Sequence, residues 1–235
     1  MAGAEIPITM DTHMLNPTAT PPATPAALFD FDGTLIGVDT TAQLLAFVAR
    51  RFPAALQDLV PLTLAFPGFL AGFVARERMK GMAVRALRNV PRQHREGFFR
   101  EFHDQRLLRR YRRGAMERIV WHRERHHTLV LVSASIDLYL RHVVQYLGFD
   151  LLVCTRTTLD PYPRLLGPNC HGAEKVQRLS QETFLGRTNW GESWAYGDDL
   201  SDLPMLRLCG HPVAANPGRA LRRQAIREGW EIVDW

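Results

Sequence analysis

The chain has 235 residues, of which 46% are hydrophobic and 23% charged, with a formal net charge of +5. Those fractions are typical of an ordinary soluble globular protein and exclude a chain too polar to bury a sizeable core. The length fits one main domain with an insertion, and the positive charge favours anionic partners without naming one.

The N-terminal stretch and the cysteines both indicate the cellular compartment of the protein. Residues 1–25 contain Glu5 and Asp11 but no Lys or Arg, so they lack the basic start of a secretory signal. Prolines in the second half of this stretch predict an extended, disordered leader. The cysteines are scattered, lack metal-ligand spacing and are typical of reduced thiols: Cys154, Cys170 and Cys209. We therefore expect a cytoplasmic protein.

The first predicted element ends in a group of polar residues. Residues 26–31 predict a buried strand, and Asp30 and Asp32 would share one face of an extended chain. Two carboxylates that close are unfavourable unless a cation lies between them or one carries a proton. Gly33 allows a sharp turn and Thr34 adds a hydroxyl. The stretch indicates a nucleophile, a proton-transfer group and half of a metal site, in preference to an acidic turn without function.

An uncharged segment follows the first predicted helix. Residues 40–52 have apolar side chains at helical spacing, and residues 59–75 contain no charged side chain. Prolines and glycines interrupt these 17 residues, which are fewer than the roughly 20 apolar residues of a membrane-spanning helix. We expect a buried helical hairpin that breaks near Pro67 and Gly68, and a membrane-inserting segment is the alternative.

Residues 76–125 are the basic part of the chain. They hold 16 Lys and Arg against six Asp and Glu, a net charge of +10. Most of these side chains are expected on solvated helix faces, although so large an excess also indicates a surface that meets phosphate groups. Aromatic residues are interleaved with the basic ones, but no nucleic-acid-binding motif accompanies them. We therefore expect no specific nucleic-acid partner.

The pattern changes to alternating strands and helices after His127. Strands are predicted at 128–132, 151–155, 194–197, 212–215 and 232–233, with helices between them. This alternation indicates a parallel sheet with helices on both faces. Polar residues follow three of the strands: Asp30 and Asp32, then Ser133, then the run from Asp198 to Asp202. Because ligands bind at the carboxyl ends of parallel strands, these groups are expected to meet, and Lys175 is the cation placed to join them.

Four motifs resemble those of the haloacid dehalogenase superfamily of aspartate-nucleophile phosphotransferases. They are residues 30–35, residues 131–135, Lys175 and residues 197–202, in the order in which the superfamily has them. About 90 residues separate the first two motifs, which resembles subfamily IB, the branch with a helical cap that includes phosphoserine phosphatases. The resemblance implies an α/β fold with a Rossmann-like parallel sheet in the core, formed by residues 26–38 and 128–235. It also implies an inserted helical cap at residues 39–127.

The resemblance, together with the residue types, implies a role for each site residue. Asp30 would attack phosphorus and Asp32 would act as general acid and then general base. Mg²⁺ would be held by Asp30, Asp198, Asp202 and the backbone carbonyl of Asp32, since it prefers hard oxygen ligands. The predicted phosphate ligands are Ser133, the amide of Ala134, Thr34 and Lys175. Asp199 is a spare carboxylate, and Ser135 is expected to be a helix cap.

Asp32 also distinguishes an aspartate-nucleophile phosphatase from two alternative classes of protein. A phospho-receiver protein or a carbon-halogen hydrolase would not need a second aspartate two residues after the nucleophile. A phosphotransferase remains open, because the cap decides the acceptor. Asp39 and Arg85 are the expected substrate contacts in the cap, and Asp39 is one methylene shorter than the Glu of phosphoserine enzymes, which argues against phosphoserine.

The expected substrate is a small anionic phosphorylated metabolite. The alternative is a lipid phosphate, as for a phosphatidylglycerophosphatase-like enzyme, for which the uncharged segment and the basic stretch would provide peripheral membrane contact. The sequence leaves the oligomeric state open.

Overall fold

The computed structural model describes residues 23–235, which form a six-stranded parallel sheet and a small antiparallel hairpin. The expected leader at 1–25 lies mostly outside these residues. The strands are β1 (Ala26–Phe29), β2 (Thr128–Ile136), β3 (Leu151–Thr155), β4 (Thr157–Thr158), β5 (Arg164–Leu165), β6 (Trp194–Gly197), β7 (His211–Ala215) and β8 (Glu231–Val233). The order in the large sheet is β3-β2-β1-β6-β7-β8, and β4 pairs with β5. The predicted parallel α/β core is confirmed.

Helices fill the connections between the strands. Those between β1 and β2 are α1 (Thr40–Arg51), α2 (Ala55–Leu70), α3 (Arg76–Arg85), α4 (Arg95–Phe102) and α5 (Arg113–Glu124). Those after β2 are α6 (Asp137–Leu147), α7 (Ala173–Gln181), α8 (Leu203–Leu206) and α9 (Arg219–Glu228). The division into a core and a helical cap at residues 39–127 stays a prediction.

The sheet is covered on both faces because its strands are apolar on both. Side chains alternate along β1, so Ala27 and Phe29 face one cluster while Ala26 and Leu28 face the other. The first cluster also contains residues of α1 and of α3 to α6, and the second contains residues of α7, α8 and α9. Strands buried on both faces are expected of a parallel sheet, whose crossover helices return over its surfaces.

The expected buried hairpin that breaks near Pro67 and Gly68 is wrong in two respects. Helix α2 continues through Pro61 and Pro67, and the chain reverses after it, where Gly72 has φ +79°. Only Ala55 of this helix is buried. The reversal occurs at Gly72 because a glycine adopts positive φ without steric strain, whereas each proline removes only one helical hydrogen bond. Among residues 23–235, we find no helix with the length and apolar character needed to cross a membrane.

Strand β2 is longer than predicted and thereby positions two site residues. It continues past Ser133 to Ile136, with a shift of its register against β3 between these two residues. Helix α6 therefore begins at Asp137 with Ile136 as its N-cap residue. The expected helix cap at Ser135 is wrong, because this serine lies in the strand and hydrogen-bonds to Asp32.

Candidate active site

Asp30 and Lys175 form the centre of a buried charged cluster. Asp30 directly follows β1, and Lys175 lies in the first turn of α7. The Lys175 Nζ donates to Asp30 Oδ1 at 2.5 Å and to Asp202 Oδ1 at 2.6 Å. Burial opposes the charge on Lys175, but the Asp202 and Asp30 carboxylates outweigh this penalty and raise its pKa. The lysine is therefore a fixed cation beside the predicted nucleophile.

Three carboxylates come together around this lysine. Oxygen atoms of Asp30, Asp198 and Asp202 all lie within 4.8 Å of one another. Burial, and then the Asp202 and Asp199 carboxylates, raise the pKa of Asp198 to about 7. Burial, together with the Asp202 and Asp198 carboxylates, also raises the pKa of Asp30, although Lys175 opposes the shift. One lysine among three carboxylates leaves negative charge uncompensated when all three are ionised, so the cluster fits a hard divalent cation.

The loop after β1 is packed closely against the three carboxylates of the cluster. Gly33 has φ +83°, and a Cβ atom added to it would lie 2.0 Å from Asp198 Oδ2. Glycine is therefore required here both for the backbone conformation and for the approach of Asp198. Thr34 is fully buried, with its hydroxyl 3.5 Å from Asp198 Oδ1. The structure thus places Thr34 beside a carboxylate of the cluster, and its predicted contact with phosphate stays a prediction.

Asp202 and Asp199 have different structural roles. Asp202 Oδ2 accepts from the backbone amides of Asp198 and Asp199, both at 3.2 Å, which fixes the loop after β6. Asp199 accepts from the amide of Ser201 at 3.0 Å and caps the short turn Leu200–Asp202. The carboxylate that the sequence left as a spare therefore stabilises this turn.

Asp32 lies in a separate hydrogen-bonded environment. Its Oδ2 accepts from the Ser135 hydroxyl at 2.5 Å, and its Oδ1 accepts from the Thr40 amide at 2.6 Å. The Thr40 hydroxyl is also 2.6 Å from that of Tyr139. Burial raises the pKa of Asp32, and the hydrogen bonds from Ser135 and Thr40 oppose that shift. Sequence reasoning missed Thr40 and Tyr139, since a threonine at a helix start and an apolar-face tyrosine carry no distinctive spacing.

The end of β2 presents the predicted phosphate loop. The Ser133 hydroxyl is buried and accepts from the Ser135 amide at 3.0 Å. The carbonyl of Ala134 accepts from the Thr155 hydroxyl at 2.7 Å and from Lys80 Nζ. These contacts fix the backbone around Ala134, which lines the cleft above the cluster.

The cleft has a volume of about 630 Å³ and reaches from the aspartates into the helices between β1 and β2. Its outer wall is apolar, and the residues that form it include Leu45, Leu62, Phe66, Phe69 and Met79. Three cations also line it: Arg76, Lys80 and Arg112. Burial lowers the pKa of Lys80 to about 8, while Asp32 and Asp39 oppose the shift. The sequence did not single out these three residues, because nothing distinguishes them from the other basic residues of their stretch.

The two predicted substrate residues of the cap are not brought together. Asp39 lines the cleft, with one oxygen accepting from the Ala42 amide at 2.9 Å as the cap of α1. Arg85 is exposed and lines a different groove. Helix α3 turns Arg76, Met79, Lys80 and Ala83 toward the cleft, and Arg85 lies off that face. The structure therefore does not support the prediction that Arg85 contacts the substrate.

Comparison with known proteins gives one family match and several relatives. Residues 27–207 match the model of the haloacid dehalogenase-like hydrolases. The chain is 33% identical over 119 residues to the "Inhibition of morphological differentiation protein" of Streptomyces azureus, covering 48% of this chain and 43% of that protein. It is 27% identical over 221 residues to the "Phosphoserine phosphatase SerB1" of Mycobacterium tuberculosis, covering 90% of this chain and 71% of that one.

A solved structure shares the fold over most of the chain. A protein of unknown function from Bordetella pertussis superposes with a TM-score of 0.80 at 24% identity. The match covers 90% of this chain and 99% of the Bordetella chain. The chain covers less than two thirds of the first curated relatives, for example 38% of a probable phosphatase of Mycobacterium tuberculosis.

Proposed function

The chain belongs to the haloacid dehalogenase-like hydrolase family, and from this premise we propose that it is a Mg²⁺-dependent phosphomonoester hydrolase. The expected resemblance to the phosphoserine-phosphatase-like branch agrees with the relative named SerB1. The observation that carries the proposal is the buried cluster in which Asp30 contacts Lys175 beside Asp198 and Asp202. The cluster lies at the carboxyl ends of β1 and β6, where open parallel sheets bind ligands.

Asp30 is the proposed nucleophile. In the first half-reaction its carboxylate forms a bond to phosphorus while the bond between phosphorus and the ester oxygen breaks. The anionic oxygens of a phosphate ester repel a carboxylate, so positive charge must screen them. Lys175, 2.5 Å from Asp30 Oδ1, supplies a fixed part of that charge. The product of this step is an aspartyl phosphate on Asp30.

Asp32 is the proposed proton-transfer group of both half-reactions. Burial raises its pKa, which favours the protonated form that gives its proton to the leaving oxygen. The resulting carboxylate then takes a proton from water, which attacks phosphorus and releases inorganic phosphate and free Asp30. Ser135 and Thr40 orient Asp32 through hydrogen bonds of 2.5 and 2.6 Å, and they hold its position during both transfers.

Asp30, Asp198 and Asp202 are the proposed side-chain ligands of Mg²⁺, with the Asp32 carbonyl as a further ligand. Their mutual approach within 4.8 Å and the raised pKa of Asp198 support a site that is completed by a cation. When bound, Mg²⁺ would screen the phosphate oxygens as a Lewis acid. Ser133 and the Ala134 amide remain the proposed phosphate ligands, beside Lys175.

The proposed substrate is a small anionic phosphate ester. Arg76, Lys80 and Arg112 around the cleft support a second negative group on the substrate, and about 630 Å³ admits a molecule of metabolite size. A lipid phosphate is the second candidate, because Leu62, Phe66 and Phe69 give the outer cleft an apolar wall. Transfer of the phosphoryl group to another acceptor is distinguished from hydrolysis by measuring free phosphate against released alcohol.

The three cysteines support a cytoplasmic protein. Cys154, Cys170 and Cys209 are all buried free thiols. Burial raises the pKa of Cys170 to about 11 and that of Cys209 to about 12, so they are unreactive at neutral pH.

The test is Mg²⁺-dependent hydrolysis of p-nitrophenyl phosphate by wild type and by Asp30→Asn. We expect turnover in Mg²⁺, loss with EDTA, and a fall of at least about 10³-fold in the variant, because an amide is not a nucleophile for phosphorus. Asp104→Asn is the matched control, since Asp104 is exposed and contacts His103, outside the cluster. Wild-type turnover by Asp30→Asn would show that another group attacks phosphorus.

A further inference from the structure

Helix α2 exposes an apolar surface. Leu56, Val60, Leu64 and Leu70 on its outer side are exposed by 50–80%, and Phe73 in the following turn by 88%. We call these five residues the apolar face. No charged residue occurs between positions 59 and 75. Exposed apolar patches of this kind mark surfaces that contact a partner or a membrane.

A basic groove runs along one edge of the same helix. It has a volume of about 920 Å³ and is lined by Asp58 and Pro61 of α2, by residues of α3, and by the β4–β5 hairpin. Its cations are Arg78, Arg85, Arg88 and Arg164. Although larger than the cleft, it contains none of the catalytic aspartates, so it is a separate feature.

The groove has an excess of positive charge. Its carboxylate, Asp58, is engaged by Arg88 at 2.7 Å and by Asn89 at 2.6 Å. Arg78, Arg85 and Arg164 have no ion-pair partner among residues 23–235. Such a groove attracts anions.

Helix α2 connects the apolar face, the basic groove and the catalytic cleft. Pro61 lines the groove, whereas Leu62, Phe66 and Phe69 line the cleft. At 100° per residue, the apolar face occupies the remaining side of the helix, between these two. A surface that covers the apolar face would therefore have the arginines of the basic groove at one edge and the opening of the cleft at the other.

We propose that α2 docks the protein on an anionic lipid surface. The apolar face enters the boundary between headgroups and acyl chains, and Arg78, Arg85 and Arg164 bind the anionic headgroups. An isologous dimer through α2 fits less well, because it would bring two basic grooves together. The inference rests on the proposed phosphatase activity and favours its second candidate substrate, a lipid phosphate, whose hydrocarbon part would contact the apolar wall of the cleft.

The first test measures co-sedimentation with vesicles and requires no turnover. The probes are vesicles of phosphatidylcholine alone and of phosphatidylcholine with 30% phosphatidylglycerol, about a third of the lipid being anionic. We expect at least about tenfold tighter binding to the anionic vesicles, since headgroup charge adds to apolar insertion. The double variant Val60→Ser with Leu64→Ser, and the double variant Arg78→Gln with Arg164→Gln, should each weaken it at least about tenfold.

Matched controls come from other exposed positions. Phe184→Ser with Ile226→Ser removes two apolar side chains that are 63% and 67% exposed elsewhere. Arg109→Gln with Arg110→Gln removes two exposed arginines that are outside the groove. Both control proteins should bind anionic vesicles within about twofold of wild type, because surface charge and apolarity act locally.

The second test separates this inference from the proposed function. Hydrolysis of p-nitrophenyl phosphate should be unchanged in the Val60 and Leu64 double variant, while hydrolysis of phosphatidic acid in vesicles should fall at least about tenfold. Vesicle binding without any phosphatase activity would contradict the proposed function and leave the docking proposal standing. Absence of wild-type binding to anionic vesicles would overturn the docking proposal, as would equal losses in the control variants. A soluble dimer that the serine variants dissociate would identify a second copy as the occupant.

Discussion

Asp30 and Asp32 show how two identical side chains, two residues apart, acquire different chemistry. Asp30 faces Lys175 and two further carboxylates, whereas Asp32 accepts hydrogen bonds from Ser135 and Thr40. Burial raises the pKa of both groups, but only Asp30 has a cationic side chain donating to its carboxylate. Asp30 is thereby suited to attack as a carboxylate and Asp32 to exchange a proton.

The first prediction concerns the leaving group. Asp32→Asn should slow attack on an alkyl phosphate by about 10²–10³-fold, because the alkoxide needs a proton as it leaves. Nitrophenolate leaves without one, so the variant should still release a burst of about one nitrophenolate per active site. Rapid-quench and stopped-flow measurements compare the two substrates. Loss of the burst, or equal slowing of the two attack steps, would contradict the general-acid role.

The second prediction distinguishes two structural requirements at Gly33, a positive φ and space for Asp198. Gly33→Ala combines a positive φ of +83° with a Cβ atom that would lie 2.0 Å from Asp198 Oδ2. Gly72→Ala is the matched control, with φ +79° and nothing within 4 Å of the added Cβ. Both variants should lose about 1 kcal/mol through backbone strain. We expect Gly33→Ala alone to lose at least about tenfold in Mg²⁺ affinity by displacing a proposed ligand, measured by titration of activity.

At the level of elements, His122 joins helix α5 to the sheet. Its Nε2 is 2.8 Å from the Tyr196 hydroxyl on β6, and its Nδ1 is 2.8 Å from His127 Nδ1. The ring also makes edge contacts with Phe29 and Trp194. Burial, and then the neighbouring His127 and Arg118, lower the pKa of His122 to about 3. The imidazole is neutral in the folded state at physiological pH.

The third prediction is that the free energy of unfolding falls at acidic pH because of His122. A histidine whose pKa falls from 6.5 unfolded to about 3 folded stabilises the fold above pH 6.5, and this contribution is lost as pH falls toward 3. By pH 5 the loss is about 2 kcal/mol, from 1.36 kcal/mol per pH unit. Urea unfolding should show a flatter dependence between pH 7 and about 5 for His122→Gln than for wild type. His94→Gln, at an exposed histidine, should retain the wild-type slope, and an unchanged slope in both variants would exclude His122 as the origin.

At the level of the whole molecule, the charged cluster joins distant parts of the chain. Asp30 and Lys175 are 145 residues apart, and Lys175 and Asp202 are 27 apart. Strands β1 and β6 are hydrogen-bonded neighbours, so the residues that follow them, Asp30 and Asp198, are brought together. Because the cluster concentrates like charges in a buried place, we expect it to lower the free energy of unfolding when no cation is bound.

The fourth prediction concerns pH and metal. The pKa of Asp198 is raised to about 7, so the metal-free protein should lose stability as pH rises from about 4 to about 7. The rise of about 3 pH units corresponds to about 4 kcal/mol, or roughly 8–16 °C in Tm. Asp198→Asn should remove that part of the pH dependence in EDTA, whereas Asp104→Asn, at an exposed aspartate outside the cluster, should retain it.

Mg²⁺ should restore the stability that the metal-free protein loses as pH rises. At pH 8 saturating Mg²⁺ is expected to raise the wild-type Tm by several degrees, since ligand at 100 times Kd contributes about 2.7 kcal/mol. At pH 5 the rise should be smaller, because protons compete for the carboxylates. Differential scanning calorimetry checks both. A rise of the same size in Asp198→Asn would place the metal elsewhere.

The sequence alone predicted the sheet class and the residues of the charged cluster. Short apolar runs that end in aspartate or serine identify strand ends, and the carboxyl ends of parallel strands lie at one edge, so Asp30, Asp198 and Lys175 were expected to meet. Local patterns suffice for this because chain direction and strand order constrain where those ends lie.

Tertiary structure decided what local patterns cannot encode. Lys80 and Arg112 line the cleft while Arg85 does not, and the difference lies in which face of a helix the fold turns inward. Ser135 hydrogen-bonds to Asp32, 103 residues away, because β2 continues where a helix start was expected. The apolar segment of α2 looked like core in sequence, yet burial depends on what packs against a helix, and here the fold leaves its outer side uncovered.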